Sequence, residues 1–241
     1  MNYESVESVV LSYPAGSFEK FAVKARACVE AFSTQNAIID LIDGGALELP
    51  HFHNLLNTLF HQVYNGASSF ALAGTMVDSR FFKVREYLFH HAEEEQDHWK
   101  WIIQNLADTG FKGPDPRETF PPFVAQAYIS FAMYLAHKQP ASRLAMGYIL
   151  EGLSGQLGVE YGGKAARQLG LRREQMSFFL LHGELDKGHS NDILDVLEQT
   201  PLTPYEWAWC EYAAECTLYL YRNLYNYAAK KLITSATQVL V

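Results

Sequence analysis

The sequence has only three cysteines, and none of them belongs to a C-x-x-C pair. An odd number of cysteines without such a pair indicates neither a disulfide framework nor a zinc knuckle. Cys28, Cys210 and Cys216 are better explained as free thiols that pack as small apolar side chains. Because free thiols persist in a reducing compartment, we expect a cytoplasmic protein.

Positive charge and long apolar runs are also scarce. Lys and Arg total 19 residues against 27 Asp and Glu, which gives a net charge of -8. Affinity for nucleic-acid phosphates comes mostly from clustered Lys and Arg, so we expect no nucleic-acid partner. No apolar run approaches the roughly 20 residues of a membrane span, and residues 1–12 lack the pattern of a signal peptide. We therefore expect no membrane partner.

Apolar and aromatic side chains are abundant, at 49% and 14% of the residues. Between breaks that contain Gly or Pro, apolar residues recur at spacings of three and four, which is typical of helices. The pattern predicts a single all-α domain over residues 1–241, a bundle of about seven helices. The predicted helices cover residues 17–42, 54–77, 79–109, 122–138, 141–168, 173–199 and 204–232.

The first concentration of potential metal ligands is the run from His90 to Trp99. Within it, Glu95 and His98 form an E-x-x-H pair, and residues three apart lie on one face of a helix. Ferritin-like bundles present metal ligands in this way from facing helices. A solvated surface charge run gives the same pattern, so this segment alone does not decide between the two.

A second concentration lies in the predicted helix 173–199. At about 100° per residue, His182, Asp186 and His189 fall within a stripe of about 60° on one helix face. Two imidazoles and a carboxylate are the ligand types of non-haem iron sites. Gly183 and Gly188 each cost about 1 kcal/mol of helix propensity. A site that needs room beside the backbone explains these glycines better than a surface helix does.

Glu151 is the third candidate. It shares a helix face with Gly147, Gly155, Gly158 and Gly162. One interpretation is close helix packing against the glycines, with the acid at the rim. The other is a bridging carboxylate beside a space for oxygen and substrate. Taken together, the three segments supply three carboxylates and three imidazoles, the set that two ferrous ions require.

The order of these motifs resembles a known family. An E-x-x-H pair, a lone Glu roughly fifty residues later and H-x-x-x-D-x-x-H about thirty residues on are similar to heme-oxygenase-like di-iron oxidases and oxygenases. The likeness spans residues 50–230 and is strongest to the group of the Chlamydia protein associating with death domains (CADD-like). It implies a heme-oxygenase-like helical bundle with two Fe(II) ions, or Mn, per chain. It also implies dioxygen and a small organic substrate as partners, and we expect a homodimer.

The resemblance carries over residue by residue. Five positions match family ligands: His98, Glu151, His182, Asp186 and His189. The remaining ligand of the first segment is open among Glu95, Glu94 and His91. We prefer Glu95, because the E-x-x-H form occurs in the alkene-forming fatty-acid decarboxylase of the family.

This chain departs from the family at several positions. The decarboxylase draws a further Glu from its first core helix, whereas residues 49–77 contain no Asp or Glu. His61 or Gln62 falls near that place, and one iron is therefore expected to be held weakly. The Chlamydia protein consumes its own Tyr and Lys, but His53 and Tyr161 occupy the aligned positions here, with Lys164 three residues further. We therefore do not assign self-consumption, and Glu151 and Tyr161 are our candidate catalytic residues.

Three competing functions remain open. A thiaminase-like hydrolase on the same fold needs a cysteine nucleophile, and residues 141–168, where it should fall, contain none. A haem oxygenase would use His61 as its axial ligand and leave the other candidate ligands unexplained. A non-enzymatic interaction protein would use an aromatic face such as Trp207, Trp209 and Tyr212, although such stripes are more often core or dimer seam.

Overall fold

Helices form the whole secondary structure of the described part of the chain. The computed structural model describes residues 15–230, apart from the side chains of residues 185–187. No strand occurs within this range, which confirms the all-α prediction. The helices are α1 Phe18–Ala31, α2 Ala37–Asp43, α3 Leu49–Met76, α4 Phe82–Glu95, α5 Trp99–Asp108, α6 Phe123–Lys138, α7 Pro140–Leu153, α8 Val159–Leu169, α9 Ser177–Glu198 and α10 Pro204–Ala228.

Two predicted helices are each divided in the structure. The predicted helix 17–42 is wrong, because the chain breaks between α1 and α2 at Gln35, which has a φ of 58°. Asn36 then caps α2, with its side-chain oxygen accepting a hydrogen bond from the Ile39 amide at 3.3 Å. The predicted helix 79–109 is also wrong, since α4 ends at Glu95 and α5 begins at Trp99. Neither break contains Gly or Pro, the residues on which the prediction relied.

The longest helix, α3, lies at the centre and contacts α4, α5, α6, α7 and α10. It begins five residues before its predicted start, with Pro50 in its first turn, where the missing amide hydrogen costs nothing. Its amino terminus is closed by the Glu48 amide, which donates to His51 Nδ1 at 3.1 Å. Apolar side chains of α3 such as Leu56 and Leu59 are completely buried. Five other helices therefore pack against α3.

A π-helical turn, Ser154–Gly158, joins α7 to α8. The predicted helix 141–168 contains no such interruption. Opposite the turn, α9 approaches so closely that a Cβ atom on Gly183 would lie 2.7 Å from the Ser154 carbonyl oxygen. A Cβ on Gly162 would lie 3.1 Å from the side chain of Phe179, also on α9. The glycines of both segments therefore allow close packing of α9 against the turn that follows Glu151.

The aromatic residues of α10 divide between interior and surface. Trp207 is buried against Phe18 and Phe21 of α1. Tyr212 and Tyr219 are half-exposed or more, at 51% and 67%. Within residues 15–230, no helix has the length and apolar character required to cross a membrane.

Candidate metal centre

Imidazole and carboxylate side chains from three parts of the bundle meet in its interior. The carboxyl end of α4 provides His91 and Glu95, and the turn after it provides His98. The carboxyl end of α7 provides Glu151. These four residues are buried, with at most 9% of each exposed. From the facing side, α9 contributes the two half-buried imidazoles, His182 and His189.

Glu95, His98 and His182 form the first cluster, which we call the His98 group. One ligand atom from each residue lies within 4.8 Å of the others. His98 Nδ1 is 3.0 Å from Glu95 Oε1, and His182 Nε2 is 3.7 Å from Glu95 Oε2. The two imidazole rings are 4.8 Å apart between centroids. The three donor atoms therefore converge tightly enough to share one cation.

His91, Glu95 and Glu151 form the second cluster, which we call the His91 group. Their ligand atoms also lie within 4.8 Å of one another. His91 Nε2 is 3.1 Å from Glu151 Oε1. His189 adjoins this group, with its Nδ1 3.5 Å from Glu151 Oε2. Glu95 belongs to both groups and therefore stands between them.

The local sequence explains how α4 delivers three of these residues. His91 and Glu95 are four apart and share a helix face. Beyond Glu95 the chain tightens, because the amides of Lys100 and Trp101 bond to carbonyls only three residues earlier. The indole of Trp99 donates to the Gln96 carbonyl at 3.0 Å and satisfies one of the carbonyls left at the end of α4. The resulting turn carries the third residue, His98, back onto Glu95.

Four buried polar atoms in the two groups make no hydrogen bond. They are His91 Nδ1, Glu95 Oε1, His98 Nδ1 and Glu151 Oε2. The close approach of His98 to Glu95 lacks the angle of a hydrogen bond, although it is short. Buried polar atoms in folded proteins are nearly always paired, so four orphans in one place need an explanation. The residues present fit a pair of cations, which would satisfy the two carboxylate oxygens and His98 Nδ1 as ligands, whereas His91 Nδ1 faces Glu94.

The charge state of the two acids, Glu95 and Glu151, suits that role. Burial alone would raise the pKa of Glu95, but the adjacent imidazoles of His182 and His98 lower it well below its ordinary value. Burial likewise opposes ionisation of Glu151, yet His189 and His91 lower its pKa to about 2. The side chains of Glu95 and Glu151 are therefore ionised carboxylates at neutral pH, the form that binds a metal ion.

The structure places the other predicted ligands as follows. Asp186 lies in α9 between His182 and His189, but its side chain is outside the described residues, so its role stays a prediction. Glu94 lies outside both groups, with its Oε2 3.7 Å from His91 Nδ1 and 3.8 Å from His189 Nε2. It therefore approaches the nitrogens of His91 and His189 that do not face Glu151. His91, considered in the sequence as an alternative to Glu95, is here brought together with it.

The remaining residues named from the sequence lie outside the two groups. The Tyr161 hydroxyl is 3.5 Å from Asp43 Oδ2, and Lys164 bonds to the same carboxylate at 3.0 Å. No described contact joins Tyr161 to either group, and its catalytic role stays a prediction. His53 Nε2 lies 2.9 Å from Thr109 Oγ1. His61 and Gln62 are the two residues near the place where the family decarboxylase has a Glu. His61 is buried with its Nε2 unpaired, and Gln62 lines an interior cavity.

A cavity reaches the two groups from the surface. It has a volume of about 100 Å³ and is lined by Glu95, Glu151, Ser154, His182 and Tyr161. Most of the rest of its wall is apolar, including Phe32, Ile38, Ile42, Leu47, Phe52 and Leu55. A site next to such a cavity is open to a small organic molecule but largely protected from bulk water.

Two polar residues in the same wall were missed by sequence reasoning. Arg143 and Tyr128 both line the cavity and are 2% and 3% exposed. A signal for Arg143 was present, because it is the sole charged residue in the first eleven of α7. The tyrosine had none, since 14 tyrosines occur in the chain and periodicity does not separate them.

Solved structures with this architecture include three of very different sequence. A domain of unknown function with a heme oxygenase-like fold from Shewanella denitrificans is 21% identical, with a TM-score of 0.75 over 88% of this chain and 91% of that one. A TenA homolog from Pseudomonas syringae is 14% identical, with a TM-score of 0.71 over 95% and 98%. A CADD-like protein of unknown function from Nostoc punctiforme is 12% identical, with a TM-score of 0.66 over 90% and 100%. These likenesses show a heme-oxygenase-like fold.

The sequence itself matches the model of one family. The model, described as an iron-containing redox enzyme, matches residues 55–220 and so covers well over half of the chain. This range includes every member of the two groups as well as His189 and Arg143. No protein of curated function matches the chain.

Proposed function

Because the chain belongs to the iron-containing redox enzyme family, we propose that it is a non-haem di-iron oxidase or oxygenase. It would use dioxygen to oxidise or cleave a small organic substrate. The position of Glu95 carries this proposal, because its carboxylate belongs to both groups. A carboxylate shared by two ligand sets is the arrangement expected between a pair of metal ions.

The His98 group would hold one iron and the His91 group the other. His189 would complete the second set beside Glu151. Asp186 remains in the proposal as a ligand predicted from the sequence. Nitrogen and oxygen donors without thiolates suit Fe(II), and they also suit Mn(II).

The two groups differ in charge, so we expect them to differ in affinity. Among the described side chains, the His98 group contains one carboxylate, Glu95, whereas the His91 group contains two, Glu95 and Glu151. Helix α3 contributes no carboxylate, because it contains no Asp or Glu. A ferrous ion among fewer negative ligands is held less tightly, since less of its charge is offset. The His98 group is therefore expected to be the weaker site.

The protein's own groups would orient the ligands and exclude water. Bound ferrous ions would supply the electrons and Lewis acidity for dioxygen chemistry. Ser154 Oγ lies 3.2 Å from His182 Nδ1, which leaves Nε2 of that ring directed at Glu95. On the other side, Phe70 packs edge-on against His91 at 4.5 Å between ring centroids. These neighbours fix ring orientations, and such partners typically change metal affinity about 10- to 100-fold.

Anaerobic reconstitution with ferrous iron tests the proposal. Wild-type protein should bind two irons per chain with unequal affinities, and its oxygen consumption should depend on that iron. The Glu95→Gln variant should lose binding at both sites, because the shared carboxylate has gone. Glu93→Gln is the matched control, since Glu93 is exposed on the same helix. If Glu95→Gln binds two irons as tightly as the control does, the shared-carboxylate arrangement is wrong.

A hydrolase is the second candidate, because a TenA homolog has the same fold. A thiaminase-like reaction needs a cysteine nucleophile in the cavity. Among the described residues, no cysteine lines that cavity. Burial raises the pKa of Cys28, and it raises that of Cys210 to about 12, which disfavours the reactive thiolate. The geometry therefore favours the oxidase over the hydrolase.

The remaining parts of the proposal concern partners and location. We infer that dioxygen and a small molecule are its partners and that it acts as a homodimer in the cytoplasm. Sedimentation analysis of the purified protein measures the oligomeric state directly. A monomer across the micromolar range would remove the dimer from the proposal without affecting the metal centre.

A further inference from the structure

Arg143 is a buried cation with most of its hydrogen-bonding capacity unused. Its guanidinium lies over the ring of Phe70, 3.5 Å from the centroid, and its Nε donates to Ser69 Oγ at 2.9 Å. Its Nη1 makes no hydrogen bond. Against the larger effect of burial, Glu151 and Glu95 attract the guanidinium and raise its pKa, but neither carboxylate lies close enough to form a salt bridge with it. A guanidinium offers five N–H donors and is costly to bury unpaired. This residue is therefore poised to receive an anion.

A second unpaired donor lines the same cavity. The hydroxyl of Tyr128, on α6, is buried and makes no hydrogen bond. Burial lowers the pKa of Arg143 to about 10, so the guanidinium remains protonated at neutral pH. For the same reason the pKa of Tyr128 is raised, so its phenol keeps the proton that it can donate. The cavity thus contains two donors, one of them charged, within a mainly apolar wall.

We propose that the substrate is an amphipathic monocarboxylate, whose carboxylate accepts hydrogen bonds from Arg143 and Tyr128. Its apolar part would lie against the hydrophobic wall that includes Ile38, Leu47 and Phe52. This inference deepens the proposed function, because it names the class of molecule presented to the two groups. Arg143 and Tyr128 are binding residues in this scheme and take no part in a covalent step.

The charge balance of the cavity favours a carboxylate over a phosphate. Among the described residues that line the cavity, Arg143 has the single Lys or Arg cation, whereas Glu95 and Glu151 already bring negative charge. A singly charged acid is neutralised by Arg143 alone. A phosphate monoester carries up to two negative charges at neutral pH and would leave one uncompensated beside two carboxylates.

Calorimetric titration of the metal-free, full-length protein tests the inference without any catalysis. The probes are octanoate against 1-octanol, and 4-phenylbutyrate against 4-phenylbutan-1-ol. Each acid should bind at least tenfold more tightly than the alcohol of the same skeleton, as expected for a charge-assisted hydrogen bond. Arg143→Met should abolish this preference, and Tyr128→Phe should reduce it. Arg172→Gln, at an exposed arginine, should leave it unchanged.

Three outcomes would overturn the assignment. Acid and alcohol could bind wild-type protein equally, a comparison that needs no variant to fold. Acid binding could require added Mn(II), which would make the metal the anion site. Octyl phosphate could bind more tightly than octanoate, which would replace the carboxylate by a phosphate. If the metal-free protein prefers acids but binds no iron on reconstitution, the proposed function fails while this inference stands. If the protein binds two irons but acid and alcohol bind equally, this inference fails while the proposed function stands.

Discussion

The close approach of α9 to the π-helical turn can be tested by adding a single methyl group. An Ala at position 183 would place its Cβ 2.7 Å from the Ser154 carbonyl oxygen and 3.0 Å from a Val159 methyl carbon. The carbonyl belongs to the backbone, so α9 or the turn must move. Gly188 is the control on the same helix, because a Cβ there would meet nothing within 4 Å.

The expected magnitudes follow from two opposing terms. Replacement of Gly by Ala within a helix stabilises the fold by about 1 kcal/mol at either position. Overpacking at position 183 costs about 1–3 kcal/mol, because a tightly packed contact must open. The propensity term cancels between the variants. Gly183→Ala should therefore unfold with a free energy about 1–3 kcal/mol below that of Gly188→Ala, and Gly188→Ala should be more stable than wild type.

Urea unfolding followed by circular dichroism measures both free energies, with equal slopes confirming comparable unfolded states. The same displacement would move His182, which precedes Gly183 directly, away from Glu95. Mn(II) affinity should consequently fall in Gly183→Ala relative to Gly188→Ala. If Gly183→Ala proves as stable as Gly188→Ala, the close helix contact does not explain the glycine.

Two further predictions concern stability and thiol reactivity. Thr203→Ala should lower the free energy of unfolding by about 1 kcal/mol in urea titration, because the Thr203 hydroxyl caps α10 and accepts from the Glu206 amide at 3.3 Å; an unchanged midpoint would contradict this. With Ellman's reagent at pH 8, half-buried Cys216 should react first. Cys210, whose pKa is raised to about 12 by burial, should stay protonated and react only on unfolding or as pH approaches that value. Rapid labelling of Cys210 in folded protein would contradict its burial.

Helix periodicity predicted the architecture because most helices here bury one apolar face. It failed where side chains, not Gly or Pro, end a helix. The break after Glu95 depends on the Trp99 indole bonding to the Gln96 carbonyl, and the break before α2 depends on Asn36. Both bonds are local and join residues three apart in the sequence. A pattern of apolar spacing contains no record of them.

Spacing also could not decide the first-segment ligand, and the structure shows why. The sequence posed Glu95, Glu94 and His91 as alternatives, because all three lie within 60° of His98 around a continuous helix. In the bundle, His91 and Glu95 both enter the site, and each also contacts neighbours of its own. Glu95 turns to His98 and His182, while His91 lies 3.1 Å from Glu151. In the proposed centre, His91 would be an added nitrogen donor, and α3, the longest helix, contributes no acid.

That absence has a consequence for the cavity as well as for the centre. An acid on α3 would project from the helix that also carries Ser69 and Phe70, the two residues that hold Arg143. It would be available to pair with the guanidinium and remove its capacity for an external anion. With no acid on α3, Arg143 lines the cavity and keeps an unpaired Nη1, while the acids of that cavity, Glu95 and Glu151, are engaged by imidazoles. Under the two proposals, the absence of an acid from α3 would both weaken one metal site and leave Arg143 available for the carboxylate of a substrate.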